Sequence, residues 1–79
     1  MNVRVLLFAS YADALGADSI EVAVGPEARV RDLLAAIQDR AAHAVPPRPL
    51  VAVNAEYAEL DQRLDVGDEV AIIPPVAGG

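Results

Sequence analysis

Apolar and polar positions alternate at the start of the chain and then change period. Val3, Val5, Leu7 and Ala9 recur at every second position, with Arg4, Leu6 and Phe8 between them. That spacing predicts a β-strand over residues 3–9, with the first set on one face. Leu6 and Phe8 make the second face apolar too, toward the strand's C-terminal end. Two readings stand side by side: a central strand covered on both faces, or a strand whose second face is an exposed apolar patch kept for a partner. Period two returns over residues 18–24, where Ile20, Val22 and Val24 share a face. The period then lengthens. Val30, Leu33, Leu34, Ile37 and Ala41 form one stripe at helical spacing, with Arg31, Asp32, Gln38, Asp39 and Arg40 mostly off it. Residues 50–53 and 69–73 are two further aliphatic strands. In the last, Val70 and Ile72 share one face and leave Ala71 and Ile73 on the other.

Punctuation divides these segments. Ser10 is placed to cap a short helical turn that Gly16 ends. Gly25-Pro26 breaks the second strand. The main helix has no Ser, Thr or Asn at its start, which falls near Ala28, and Pro46, Pro47 and Pro49 end the region. Asn54-Ala55-Glu56 is a turn, residues 57–60 a short bridging strand, and Asp65-Val66-Gly67-Asp68 a second turn whose Gly supplies the unusual φ. Pro74-Pro75 stops the last strand, since neither residue donates to a ladder. Strand, strand, helix, strand, short strand, strand gives an α+β domain, a mixed sheet with one main helix packed on one face. That is the β-grasp, or ubiquitin-like, arrangement. A sheet covered on one side favours an exposed role for Leu6 and Phe8.

Composition narrows the chemistry. With 79 residues the chain holds one domain, residues 1–79, and a thin core. Cys is absent, which removes disulfides, thiolate metal sites, cysteine nucleophiles and iron–sulfur clusters. Six arginines, no lysine and 12 acidic residues leave a formal charge of −6. That argues against nucleic acid or an anionic membrane as partner and favours a basic protein surface. No apolar run is long enough for a signal peptide or a membrane span, so a cytoplasmic location is expected. His43 is the only His. It reads as a surface residue at the helix end, with no second His or Cys to build a triad or a zinc site. Glu56, Glu59, Asp61, Asp65, Asp68 and Glu69 lack calcium-loop spacing and read as solvated turns and strand ends, or as recognition charges. Ser10 and Tyr11 have no adjacent base, and no glycine-rich phosphate loop exists. No metal site is expected.

The C-terminus remains: Pro74-Pro75-Val76-Ala77-Gly78-Gly79. The prolines end the strand and launch a flexible tail, residues 74–79, that reaches roughly 20 Å when extended. The last four residues carry no side-chain charge. Gly78 and Gly79, without Cβ atoms, can thread a narrow channel and let a foreign active site close around the backbone. The alternative is an ordinary frayed terminus. An α-carboxylate is ionised at neutral pH and is a poor electrophile. ATP activates it as an acyl-adenylate, and a sulfur or nitrogen nucleophile can then take the acyl group.

The chain resembles the MoaD-type sulfur carriers, the small-subunit family of molybdopterin synthase. The carrying residues are Val5-Leu6-Leu7-Phe8-Ala9, Ala14-Leu15-Gly16, Val53-Asn54 with Tyr57, and above all residues 67–79, ending Ile72-Ile73-Pro74-Pro75-Val76-Ala77-Gly78-Gly79. The likeness spans essentially the whole chain. It departs from the family at Tyr11-Ala12-Asp13 and at Arg29-Val30, both away from the tail. The resemblance implies that Gly79 is adenylated by a partner related to ubiquitin-activating enzymes and is converted to a thiocarboxylate with sulfur from a donor. It implies that the tail, Pro74 to Gly79, enters the synthase large subunit and donates sulfur to cyclic pyranopterin monophosphate, two carriers serving each dithiolene. It further implies a two-plus-two heterotetramer and an apolar docking patch that Phe8, Tyr57 and Ile73 match; strand parity puts Leu6 and Ala71 on the same face, so the candidate interface is Leu6, Phe8, Tyr57, Ala71 and Ile73. On this reading the chain is not itself an enzyme and binds no cofactor; ATP belongs to the activating partner. The alternatives are a sulfur carrier for thiamin or another thio-metabolite, a ubiquitin-like modifier, and a noncatalytic binding module.

Overall fold

The computed structural model describes residues 1–41, 43–46 and 48–74. Its elements run β1 (Asn2–Leu7), α1 (Ala9–Leu15), β2 (Ser19–Ala23), α2 (Val30–Ala41), β3 (Leu50–Val53), β4 (Glu56–Tyr57) and β5 (Glu69–Ile73). The five strands form one sheet in the order β2-β1-β5-β3-β4. Only the pairing of β1 with β5 is parallel; β1–β2, β3–β5 and β3–β4 are antiparallel. This is the expected mixed α+β arrangement, a β-grasp.

The two periodicities meet in one core. Val3, Val5 and Leu7 of β1, Val22 of β2, Val51 and Val53 of β3, and Val70 and Ile72 of β5 are buried on the inner face. The α2 stripe, Val30, Leu33, Leu34, Ile37 and Ala41, is buried over the same face. Three core residues come from outside these periodic runs: Tyr11, Val45 and Leu64.

The structure corrects several local expectations. β1 ends at Leu7, where the Leu7 amide donates to the Asp18 carbonyl at 2.8 Å. Phe8 is the extended N-cap of α1, without a side-chain cap bond. Ala9 turns the chain with φ +48° and is exposed, so it does not continue the inner face. Ser10 is therefore inside the helix and caps nothing. Gly16, at φ +68°, does end α1, its amide bonding the Ala12 carbonyl. The turn after β3 is two residues, Asn54 (φ +51°) and Ala55 (φ +71°), the mirror-image geometry that matches strand twist. Glu56 thus belongs to β4 opposite Val53, and the short strand is residues 56–57 rather than 57–60.

The start of α2 is capped from far away in sequence. The Val30 and Arg31 amides donate to the carbonyls of Gln62 and Leu60, both at 2.9 Å. Asp32, three positions into the helix side, reaches back to the Arg29 amide at 2.8 Å. These bonds replace the missing Ser or Thr cap and pin the segment after β4, including buried Leu64, across the helix end. His43 is exposed just beyond α2. Among the described residues, no helix is long and apolar enough to cross a membrane.

Burial raises the Tyr11 phenol above its usual value of 10.0. The folded state therefore holds this proton more tightly than the unfolded chain. The associated stability is intact below the unfolded value and is lost as pH rises through the folded one. Urea unfolding at several pH values should show stability falling above about pH 10, and Tyr11→Phe should make that fall shallower.

Candidate functional site

Among the described residues, no helix covers the outer face of the sheet. Register aligns Leu6 of β1, Ala71 of β5, Ala52 of β3 and Tyr57 of β4 in a single row across four strands. Large side chains stand at the two ends of this row and alanines in the middle, so the sheet surface is hollowed rather than flat. Phe8 and Ile73 extend the floor toward the strand ends, and Ala55 and Glu69 close the other side. The resulting trough has a volume of about 370 Å³.

All five patch residues expected from the sequence come together here: Leu6, Phe8, Tyr57, Ala71 and Ile73 line the one depression. Phe8 is 46% exposed and Tyr57 77%. Among the described residues, then, the second face of β1 is not covered as the first is: Leu6 is half-buried and Phe8, just past the strand, is exposed. Covering half-exposed Phe8 with apolar surface is worth on the order of 1 kcal/mol, and the trough offers several such contacts. Pro74 stands half-buried at the end of β5. Pro75, Val76, Ala77, Gly78 and Gly79 lie outside the described residues.

Leu50 was not anticipated. It sits opposite Ile73 at the head of β3 and is 52% exposed. Its signal was in the sequence: inward Val51 and Val53 force Leu50 and Ala52 outward. Beside the trough the backbone is fixed by polar contacts. Asn54 donates through Nδ2 to Asp68 Oδ1 at 2.9 Å, and its Oδ1 accepts from the Glu69 amide at 3.0 Å. Asp68 Oδ2 accepts from the Asp65 amide at 2.8 Å. Part of the acidic run is thus structural. Among the described residues no group of three or more His, Cys, Asp or Glu is placed to hold a metal ion.

The chain matches the ThiS family over residues 5–79. It belongs to the ThiS family. Within it, the chain is 41% identical over 80 residues to the molybdopterin synthase sulfur carrier subunit of Escherichia coli K12, covering 98% of this chain and 99% of that one. The fold is similar to crystalline SAMP1 from Haloferax volcanii, with TM-score 0.80, 30% identity and complete coverage of both chains. It is also similar to a chain in the complex of subunits 1 and 2 of the molybdopterin-converting factor from Helicobacter pylori, with TM-score 0.72, 22% identity and full coverage, a likeness of fold alone.

Adjacent isoleucines test the two-faced sheet. Ile72 is fully buried while Ile73 lines the trough. Ile72→Ala should cost about 2–5 kcal/mol in denaturant unfolding. Ile73→Ala should cost less than about 1 kcal/mol.

Proposed function

We propose that this ThiS-family chain is the sulfur carrier of a molybdopterin synthase in molybdenum cofactor biosynthesis. The observation that carries the reading is the full-length 41% identity to a sulfur carrier subunit of that name. The open apolar trough at the root of Pro74 supports it, because a carrier must be gripped by its body while its end is worked on elsewhere.

The chemistry resides at Gly79. The activating partner's ATP converts the C-terminal carboxylate to an acyl-adenylate, releasing pyrophosphate. A sulfide-level sulfur nucleophile then forms the C–S bond as the bond to AMP breaks, leaving a thiocarboxylate. Pro74, Pro75, Val76, Ala77 and Gly78 form the lead that enters the synthase large subunit, where the sulfur passes to cyclic pyranopterin monophosphate. Leu6, Phe8, Tyr57, Ala71 and Ile73, with Leu50, dock that subunit, two carriers and two large subunits forming the assembly. The carrier brings no cofactor and no catalytic side chain of its own, and works in the cytoplasm.

Incubation with the activating enzyme of the same cell, ATP and a sulfur donor should replace one oxygen by sulfur in the intact mass, located at Gly79. Deletion of Gly79 should abolish the change and leave the fold intact. An unmodified mass, with the enzyme shown active on another carrier, would falsify the sulfur-carrier reading. Phe8→Asp should leave the domain folded and weaken large-subunit binding at least tenfold, about 1.4 kcal/mol; unchanged affinity in calorimetry would remove the trough from the interface.

A further inference from the structure

The six arginines of this acidic chain are not spread evenly in their duties. Arg29 donates to the Asp61 carbonyl, Arg40 to the Glu21 carbonyl and Arg63 to the Glu27 carboxylate. Arg4 lies in register between Glu21 and Glu69. Arg31 and Arg48 make no side-chain hydrogen bond or ion pair among the described residues, and both line a second groove. It runs along the flank of α2 that carries Arg31, Leu34, Ala35 and Gln38, beside Leu60 of the segment after β4, and has a volume of about 360 Å³. Gln38 donates to the Val45 carbonyl, which fixes that wall.

A linking depression of about 340 Å³ shares Arg48 and Leu60 with the groove and Tyr57 with the trough. The link runs around β4, the two-residue edge strand at the end of the sheet. A body seated on the trough and extending past Tyr57 therefore meets Leu50, then Arg48 and Glu59, which line the link together, then Arg31. With a net charge of −6, most of the carrier's surface repels an acidic segment. The groove offers two guanidiniums beside an aliphatic floor and attracts one.

We propose that the Arg31–Arg48 groove receives an acidic, apolar-centred segment of the synthase large subunit, whose carboxylates pair with the two guanidiniums while an aliphatic side chain rests on Leu34 and Leu60. The proposal rests on the sulfur-carrier reading and adds to it a second contact that fixes the carrier's orientation. A carrier docked through the apolar trough alone could rotate on it. A charge pair around the edge of the sheet selects one orientation and speeds encounter.

The test is calorimetric and stopped-flow binding of the large subunit from the same organism to the full-length carrier at several salt concentrations. Arg31→Glu with Arg48→Glu should weaken binding about tenfold or more at low salt, mainly through a slower association rate, and should flatten the salt dependence. Arg40→Glu, which changes charge at the far end of α2, should have a much smaller effect. Circular dichroism checks that each variant is folded. If Phe8→Asp disrupts the complex while the double arginine variant binds as the parent does, the groove proposal fails and the carrier reading stands. Equal losses for the double variant and for Arg40→Glu scaled to its charge would also overturn the proposal, by showing a non-local field. If the parent carrier forms no complex with the large subunit, both readings fail.

Discussion

One amphipathic helix can cover one face of a five-stranded sheet, and among the described residues one helix is long enough to do so. Everything else follows from that shortage. α2 lays Val30, Leu33, Leu34, Ile37 and Ala41 over the inner valines of four strands, and among the described residues no second long helix is left for the outer face. A small domain must bury a large share of its apolar residues to fold at all, yet here Leu6, Phe8, Leu50 and Ile73 stand on the unprotected side. Strand alternation places Leu6, Leu50 and Ile73 there, and Phe8 follows as the extended N-cap of α1; each flanks a residue that points into the core. The alanines at 52 and 71 then turn an apolar plane into a hollow that a partner can fill.

Polar contacts do the work of holding the rim. The Asn54–Asp68–Glu69 bonds tie the β3–β4 turn to the entry of β5, so Ala55, Tyr57 and Glu69 keep fixed places around the trough. On the other side of the sheet, carbonyls of Leu60 and Gln62 cap α2. The segment after β4 is thereby bound to the helix, and the groove with Arg31 and Arg48 exists because of that junction. The trough and the groove are therefore by-products of the bonds that close the fold, rather than additions to it.

The helix stripe, β3 and β5 were legible because each is a periodic run, and burial follows period. The faces of β1 and β5 gave Leu6, Phe8, Ala71 and Ile73 for the same reason, whereas Tyr57 came from the family resemblance. What escaped was long-range. Tyr11, Val45 and Leu64 are isolated apolar residues in aperiodic surroundings, so nothing nearby predicts their burial. Ser10 has the chemistry of a cap, but the chain turns two residues earlier, at Phe8 and Ala9, because β1 makes its last ladder bond at Leu7. The true cap of α2 consists of carbonyls some 30 residues downstream, which no local motif encodes. Leu50 was readable by parity, yet its place in the site depends on register with Ile73. The groove around β4 was invisible in the sequence, since Arg31 and Arg48 are neighbours only after the sheet has ordered.

The position of β5 has a mechanical consequence. It is the middle strand of the sheet, laddered on one side to β1 and on the other to β3. Traction applied along the strand through Pro74 loads both ladders in shear, so their hydrogen bonds share the force and must yield together. An edge strand pulled across its ladder would peel, one bond at a time. Pro74 thus leaves the sheet from the strand that resists extraction best.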